Sequence, residues 1–285
     1  MSKIDKFYSA KHLFSCPVCG KKIRFHGGSL VCKREHRFDI SSKGYVNFLQ
    51  SSKPLKGYDR LFFESRQRFF AGGYYDEVAR AVTQKAIAHL GNVVGEDRTK
   101  CVIDAGCGEG FYACSLNRAL PQDERETQIL AFDLASDAIK TAAKSEEQIK
   151  WMVADITNIP VKDQIADCIL DVFTPANYKE FKRILAPDGI VIKVIPGRRH
   201  MAQLRTAAES LLRRKDYSNE EVLDYFLEHF ALVERETVTT TMAIDKAQLE
   251  NLVHMTPLLF DVDKSKLNLE GLTEITVEAE ILIGK

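Results

Sequence analysis

The amino-acid sequence predicts an α/β protein with a doubly wound parallel sheet, helices on both faces, and a small metal-binding module at its N-terminus. Two observations predict the sheet: short apolar runs alternate with helical stretches, and several runs end at an Asp. A third observation, a cluster of cysteines and a histidine before residue 48, predicts the module. With 285 residues, the chain is long enough for one substantial domain and a small accessory unit.

Five short apolar runs are predicted to form the parallel strands. Runs of this length, buried on both sides, are typical of parallel strands in α/β proteins. Near the C-terminus, residues 238–244 and 275–283 are strand-like and predict an antiparallel hairpin at an edge of the sheet. The five predicted parallel strands cover residues 101–103, 129–132, 151–154, 165–170 and 189–195.

Composition divides the chain into three zones. Residues 1–48 form the predicted module, residues 49–74 a linker with Ser, Pro and Gly breakers followed by a connecting helix, and residues 75–285 the α/β domain. The sequence contains no apolar run of about 18 residues, as a membrane-spanning helix would need. Because the first residues are polar and charged, without the apolar core of a signal peptide, we expect a cytoplasmic protein.

The formal net charge is zero, but the charge is unevenly distributed. Residues 1–60 contain 13 Lys and Arg against 4 Asp and Glu, a net charge of +9, and residues 61–285 carry the opposite charge of −9. A basic segment on an acidic domain suggests a polyanionic partner for that segment. A solvated basic segment that folds without a partner explains the charge equally well.

A glycine-rich loop follows the first predicted strand, with Asp104, Gly106, Gly108 and Gly110 at alternate positions. Glycines permit a tight turn and let a ligand approach the backbone closely. Gly110 leads into a predicted helix, whose N-terminal N–H groups suit a carboxylate-bearing ligand. The spacing Asp-x-Gly-x-Gly-x-Gly differs from the Gly-x-Gly-x-x-Gly of dinucleotide-binding proteins.

Two further acids follow predicted strands. Asp133 ends the second strand, where a carboxylate can hold both hydroxyls of a ribose, and Asp155 ends the third, where it can meet an adenine amino group. Because the carboxyl ends of parallel strands share one edge, these acids and Asp104 together predict a site for a nucleoside-containing cofactor. Each acid alone also fits a capping or turn role, and for Asp155 in Asp-Ile-Thr-Asn that alternative stays open.

Four residues of the module have the spacing of a zinc site. Cys16-Pro-Val-Cys19 is one knuckle, and Cys32 with His36 forms a second. Three thiolates and one imidazole close a tetrahedral site, so the predicted zinc is structural. A redox-active pair would need a helix starting at Cys16, whereas Gly20 and a strand-like Lys-Lys-Ile-Arg-Phe follow the knuckle. The seven cysteines are odd in number and no secretion signal is present, so no disulfide framework is expected.

Basic and aromatic residues are interleaved in the module. Cations for phosphates and aromatic faces for unstacked bases fit single-stranded or loop RNA. The alternative is that the aromatic rings only pack around the metal knuckles. The residues concerned are Lys21, Lys22, Arg24, Lys33, Arg34 and Arg37, with Phe14, Phe25, Phe38 and Tyr45.

The glycine loop with its acids resembles the class I S-adenosylmethionine-dependent methyltransferases, which have a Rossmann-like fold. The zinc-ribbon-like module joined to that domain resembles the RlmA family, the 23S rRNA guanine-N1 methyltransferases of bacteria. The second resemblance covers nearly the whole chain. Its motifs are Cys16-Pro-Val-Cys19, Cys32-x-x-x-His36, Phe38-Asp39, Gly44-Tyr45-Val46-Asn47, Arg68-Phe-Phe-Ala-Gly72, Tyr74, Asp104-x-Gly-Cys-Gly-Glu-Gly110 and Pro196-Gly-Arg-Arg-His200.

The resemblance implies a methyl transfer from S-adenosylmethionine to N1 of a guanine in a hairpin loop of 23S rRNA. That loop lines the exit tunnel, a place linked to macrolide-type antibiotics. The resemblance further implies one structural zinc, and a homodimer whose two zinc modules flank the RNA. The implied ligands of zinc are Cys16, Cys19, Cys32 and His36, and the implied contacts of the cofactor are Tyr74, Gly108, Glu109 and His200.

The sequence names no catalytic residue. Methyl transfer from a sulfonium depends mainly on alignment and exclusion of water, although the proton on guanine N1 must also leave. Asp171 and Phe173 follow the fourth strand, where they could act as a base and stack on the guanine, but a local pairing explains Asp171 as well. Two other functions stay open: a methyltransferase for tRNA or a small molecule, and a non-catalytic zinc-dependent protein that binds RNA or another partner.

Overall fold

The computed structural model describes residues 3–50, 56–93, 99–121, 127–145, 148–212 and 218–285; of the predicted linker, residues 51–55 lie outside the described residues. The strands are β1 (Ile23–His26), β2 (Ser29–Cys32), β3 (Arg37–Asp39), β4 (Tyr45–Asn47), β5 (Cys101–Ala105), β6 (Gln128–Asp133), β7 (Lys150–Val153), β8 (Ala166–Val172), β9 (Leu185–Pro196), β10 (Leu232–Ala243) and β11 (Glu274–Gly284). The helices are α1 (Lys6–Ala10), α2 (Arg60–Ala71), α3 (Asp76–Gly91), α4 (Phe111–Ala119), α5 (Ser136–Ala142), α6 (Tyr178–Ile184), α7 (Ala202–Ala208), α8 (Glu220–Leu227) and α9 (Lys246–Met255).

An eight-stranded mixed sheet has the order β10-β11-β9-β8-β5-β6-β7-β4. The strands from β9 to β4 in this order pair in parallel, whereas β11 is antiparallel to both β9 and β10. The five predicted parallel strands and the edge hairpin are therefore confirmed. From the central β5, the chain goes first to β6 on one side and later to β8 on the other. Such a switch point opens a crevice at the carboxyl ends of the strands.

Successive residues of the central strands belong to two different apolar cores, one on each face of the sheet. In β5, Val102 packs into the core that contains α3 and α4, while Cys101 and Ile103 pack into the core that contains α6 and the buried Phe226 of α8. Burial of both faces confirms the doubly wound architecture. In the described ranges, no helix combines the length and apolar character needed to cross a bilayer.

Polar caps and glycines set the limits of the helices that position the site. Asp59 precedes α2, and its carboxylate accepts a hydrogen bond from the N–H of Phe62 at 2.9 Å. α2 ends before Gly72, and α3 ends at Gly91. Asp245 caps α9 in the same way as Asp59 caps α2. These ends therefore have local causes: a capping carboxylate at the start and a glycine at the finish.

The metal module continues directly into the sheet of the larger domain. Its last strand, β4, pairs in parallel with β7, so that Tyr45 lies opposite Trp151 and Val46 opposite Met152. β4 thereby becomes the edge strand of the eight-stranded sheet. The predicted domain limits at residues 48 and 74 stay predictions, but the hydrogen bonding of the sheet crosses from the module into the domain.

The module also shares an apolar core with the sheet. Phe14 is fully buried, packs against the ring of Phe48 at a centroid distance of 5.9 Å, and forms a bridge with Val161. Phe38 is 8% exposed and lies in the same core. The prediction that these two rings offer faces to RNA bases is therefore wrong: a module with little apolar content uses them for packing. Phe25 and Tyr45 are half-buried.

We expect Phe14→Ala to lower the free energy of unfolding of the whole protein by about 3–5 kcal/mol, because the substitution leaves a cavity in the shared core. Tyr8→Ala is the matched control, since Tyr8 belongs to the same module but is 57% exposed. Urea unfolding can be followed by the fluorescence of Trp151, the single Trp, which lies in β7 beside β4. If Phe14→Ala released zinc without moving the Trp151 transition, the module would unfold independently and the shared core would be unimportant.

Candidate zinc site and cofactor cavity

The four predicted metal ligands converge at one point. Their ligand atoms all lie within 4.8 Å of one another. The Sγ atoms of Cys19 and Cys32 are 3.7 Å apart, and His36 Nδ1 lies 3.5 Å from Cys16 Sγ and 3.4 Å from Cys32 Sγ. Sulfur ligands about 2.3 Å from a tetrahedral zinc are about 3.8 Å apart. The donor set and its spacing therefore fit one structural zinc with no position left for water.

Local backbone geometry supports the metal knuckles. Gly20 has a φ of +67° and donates its N–H to the carbonyl of Cys16 at 2.7 Å, which closes the turn of the first knuckle. The N–H of Arg34 points at Cys32 Sγ at 3.3 Å. The first knuckle also contacts the larger domain, because the side-chain amide of Asn158 donates to the carbonyl of Pro17 at 2.9 Å.

A cavity of about 780 Å³ opens at the carboxyl ends of the central strands. Its volume lies within the range of sites for cofactors and drug-sized ligands. β5 contributes the loop at Gly106, β6 ends in the cavity at Asp133, and the segment after β8 contributes Phe173 and Thr174. α2 covers the opening with aromatic side chains, among them Phe62. The cavity lies at the switch point of the sheet, as the sequence predicted.

The glycine loop has the conformation that its composition predicts. Gly106, Gly108 and Gly110 have φ values of +68°, +56° and +86°, all in the left-handed region. A Cβ at Gly106 would collide with the side chain of Thr174, and one at Gly110 with the ring of Trp151. Gly110 is the N-cap of α4, so the N–H groups of that helix begin directly after the loop.

Asp133 and Asp155 line the same cavity. The two carboxylate oxygens of Asp133 accept hydrogen bonds from the N–H of Gly108 at 2.9 Å and of Ala135 at 2.8 Å, so the carboxylate is held against the glycine loop. Asp155 accepts hydrogen bonds from the N–H and hydroxyl of Thr157 through one oxygen. Asp155 therefore forms the turn that the sequence left open and also faces the cavity.

Two more acids lie beneath the glycine loop. Asp104 is 1% exposed, and burial raises the pKa of its carboxyl to about 7. Glu109 is buried, and its carboxylate lies 3.4 Å from Nε of Arg66 on α2. Burial raises the pKa of Glu109, and the Arg66 guanidinium opposes that rise. Neither acid is among the residues that line the cavity.

His200 lines the cavity beside Tyr75 rather than beside Tyr74. Its Nδ1 lies 2.9 Å from the carbonyl oxygen and 3.3 Å from the backbone nitrogen of Glu278, and its Nε2 lies 3.3 Å from the hydroxyl oxygen of Tyr75. Burial lowers the pKa of His200 to about 4, so the imidazole is neutral near pH 7. Tyr74 stacks on Phe69 and donates to the carbonyl of Ala243, outside the cavity lining.

Comparison with known proteins matches both parts of the chain. Residues 14–53 match the zinc-ribbon family described as "RlmA, N-terminal", and residues 102–189 match a methyltransferase domain. The chain is 33% identical to YxjB of Bacillus subtilis (strain 168), provisionally assigned as a 23S rRNA (guanine-N1-)-methyltransferase, over 95% of this chain and 96% of that protein. The chain belongs to this methyltransferase family.

A second relative has a more specific name. The 23S rRNA (guanine(748)-N(1))-methyltransferase of Streptomyces fradiae is 29% identical over 94% of this chain and 95% of its own length. Zinc and S-adenosylmethionine are accordingly the cofactors of the family member described here. The geometry fits both: a closed Cys3His cluster for zinc, and a cavity with a Cβ-free loop beside a helix N-terminus for the nucleoside cofactor.

The two residues considered for catalysis have separate surroundings. Asp171 is fully buried, forms an ion pair of 3.0 Å with Lys193, and lies outside the cavity lining. Burial raises the pKa of Asp171 to about 6, and Lys193 opposes the rise. The local pairing considered from the sequence is thus observed. Phe173 does line the cavity, with a left-handed φ of +53° and its ring 5.6 Å from that of His200.

Several cavity residues were missed by sequence reasoning, among them Arg66, Tyr75 and Met201. Tyr75 is adjacent to Tyr74, the cofactor contact implied by the resemblance, and a Tyr-Tyr pair gives no signal of which ring faces the cavity. Arg66 is one of several cations on α2, and only the packing of that helix against the loop distinguishes it. Met201 has no local signal apart from its place after His200.

We expect Asp104→Asn to change the pH dependence of stability. Since the pKa of Asp104 is raised from 3.8 to about 7, the folded protein retains a proton that the unfolded chain loses, and stability falls as pH rises through this window. The variant cannot titrate there, so its melting temperature relative to the wild type should rise between about pH 4 and about pH 7.

Asp188→Asn, at an exposed residue of β9, is the control for a general effect of replacing a carboxylate by an amide. Melting would be measured without cofactor, so that ligand binding does not contribute. A constant difference between Asp104→Asn and wild type across the pH range would contradict the raised pKa.

Proposed function

We propose that this protein transfers a methyl group from S-adenosylmethionine to N1 of a guanine in a hairpin loop of 23S rRNA. The observation that carries the proposal is the near-full-length similarity to relatives that share both the zinc ribbon and the methyltransferase domain. The cavity at the switch point and the basic module support it, because one can hold the cofactor and the other an anionic substrate.

In this proposal, residues of the glycine loop and of the cavity wall contact different parts of the cofactor. Gly106, Gly108 and Gly110 let the ligand approach the backbone, and Asp133 accepts hydrogen bonds from the ribose hydroxyls. Asp155 faces the adenine, and His200 with Tyr75 forms the wall near Phe173. The position of Tyr74 favours Tyr75 as the tyrosine that touches the cofactor. Asp104 and Glu109 would act from beneath the loop.

The target guanine would enter the apolar side of the cavity. A loop nucleotide is already largely unstacked, which lowers the cost of bringing its base into a pocket. Transfer forms a bond between N1 and the methyl carbon, breaks the bond from that carbon to sulfur, and releases the N1 proton. Phe173, held in a left-handed conformation at the cavity wall, offers a ring for the base to stack on.

The exposed cations of the zinc module form the proposed RNA surface. Lys21, Lys22, Lys33 and Arg34 are all exposed, whereas Arg24 is paired with Glu35 at 2.9 Å. Cations of this kind bind phosphates without reading sequence, so they would position the rRNA while the cavity selects the base.

We extend this proposal to the oligomeric state of the protein, its location and the response to antibiotics. The exposed edge strand β10, in which Val233 is 60% exposed, supports a homodimer, because an unpaired edge favours contact with another chain. A substrate in the ribosome supports a cytoplasmic location. The place of the target in the exit tunnel links the modification to the response to macrolide-type antibiotics.

The proposal is tested by incubating the purified protein with radiolabelled S-adenosylmethionine and unmodified 23S rRNA, followed by primer extension. Methylation at N1 blocks the Watson–Crick edge, so a single stop at a hairpin-loop guanine is expected. Because one relative is named for guanine 748, that nucleotide is the first position to inspect. The stop should disappear in Gly108→Arg, whose side chain would be strained at a φ of +56° and crowd Arg66.

Two results would redirect the assignment. Label in tRNA or in a small molecule, but none in 23S rRNA, would replace the substrate and keep the enzyme class. No cofactor binding by the correctly folded, zinc-loaded protein would favour a binding protein without catalysis. Retention of zinc and of a cooperative melting transition by Gly108→Arg would show that the loss of label is not a loss of folding.

Removal of two module cations should weaken rRNA binding and reduce its salt dependence. We expect Lys33→Ala with Arg34→Ala to lower the slope of log K against log salt by about 1.4, from about 0.7 for each charge on single-stranded RNA. Lys264→Ala with Lys266→Ala in the acidic domain is the matched control and should leave the slope unchanged. An unchanged slope in the module variant would exclude these two residues from the RNA surface.

A further inference from the structure

Arg66 is a cation that lines the cofactor cavity. It lies on α2, which covers the cavity, yet its side chain is only 19% exposed. An ideal Cβ on Gly108 would lie 3.4 Å from Nη1 of Arg66, so the guanidinium rests directly against the glycine loop. The guanidinium also lies 5.0 Å from the centre of the Phe70 ring, which limits its movement on one side.

The acid that holds Arg66 has unused hydrogen-bonding capacity. Glu109 Oε2 lies 3.4 Å from Arg66 Nε, close enough for charge attraction, but within the described residues no other residue donates a hydrogen bond to either carboxylate oxygen. The side chain of Glu109 is 3% exposed, and a buried carboxylate without hydrogen bonds is costly. Glu109 therefore lies on the Nε side of the guanidinium, whose two terminal nitrogens carry four further N–H donors.

The charges around the loop show what the guanidinium faces. Two buried acids, Asp104 and Glu109, and the half-buried Asp133 surround the glycine loop, and Arg66 is the cation that acts on all three within the described residues. Arg205 also lines the cavity, but its Nε donates to the carbonyl of His200 on another wall. A ligand that brings one carboxylate and an excess of positive charge suits this arrangement.

We propose that Arg66 binds the α-carboxylate of S-adenosylmethionine and that Glu109 is a positioning residue that orients Arg66. The inference rests on the use of this cofactor in the proposed function. The planar guanidinium can donate two parallel hydrogen bonds to a carboxylate, which an ammonium cannot do. The α-ammonium and sulfonium of the same ligand offset the acids beneath the loop. Arg66 thus selects a ligand that retains its amino-acid carboxylate.

The test compares two ligands that differ in that one group. Binding of S-adenosylmethionine and of decarboxylated S-adenosylmethionine would be measured by calorimetry without RNA, on the full zinc-loaded chain. The wild type should bind the complete cofactor at least about 10-fold more tightly. Arg66→Gln should weaken binding of S-adenosylmethionine by roughly 10- to 100-fold, the range for a charge-assisted pair, and leave binding of the decarboxylated ligand unchanged.

Three further variants separate binding from structure. Arg60→Gln is the matched control: Arg60 is on the same helix and paired with Glu64, but is 79% exposed, and both affinities should stay unchanged. Arg66→Lys keeps the positive charge but lacks the planar guanidinium with its parallel donors. Its affinity for S-adenosylmethionine should therefore lie between those of the wild type and Arg66→Gln. Glu109→Gln should weaken binding of S-adenosylmethionine less than Arg66→Gln does, and more than it weakens binding of the decarboxylated ligand, whereas a purely structural role would weaken both equally.

The outcomes that overturn the inference are distinct from failure of the proposed function. Equal affinity of the wild type for the two ligands overturns it without any variant, and so does an equal loss of both affinities in a folded Arg66→Gln. No change of either affinity in that variant, with weaker rRNA binding, would assign Arg66 to the RNA instead. If the ligand pattern holds but 23S rRNA is not labelled, the cofactor contact stands and the proposed substrate fails.

Discussion

The turn from β5 into α4 is the constraint on which the site depends. Three glycines in left-handed conformations allow the backbone to pass between the side chains of Thr174 and Trp151, where a Cβ would collide. Asp133 then accepts the N–H of Gly108, which joins the end of β6 to this loop. Because the turn is tight and its glycines carry no side chains, the carboxyl edge of the sheet becomes a cavity rather than a packed core.

The zinc module is joined to the same site through a shared core. Its strand β4 pairs with β7, and Asn158, three residues after Asp155, bonds to Pro17 of the first metal knuckle. The segment that contributes Asp155 to the cavity wall is therefore held before Asp155 by the pairing of β7 with β4 and after it by the hydrogen bond of Asn158. Since metal binding in a small module contributes folding energy, we expect zinc to stabilise this sheet edge as well as the proposed RNA-binding surface.

Burial of charge is the main energetic cost of this arrangement. Asp104, Glu109 and Asp133 lie close together beneath or beside the loop, and burial raises the pKa of each. An unpaired buried carboxylate destabilises the fold, so an apolar residue would be expected at such a position in the core. Their presence beside Arg66 at the cavity is consistent with a site whose remaining partner is a charged ligand.

The sequence by itself determined the parallel strands, the edge hairpin, the zinc ligands and the glycine loop, because each depends on local periodicity, spacing or backbone freedom. Only the tertiary structure decided that Tyr75 rather than Tyr74 faces the cavity, that Phe14 and Phe38 are core residues, and that Arg66 meets Glu109. These outcomes depend on which surfaces of distant segments meet. Such contacts have no local pattern, since the residues that form them are separated by long stretches of chain and brought together only by packing.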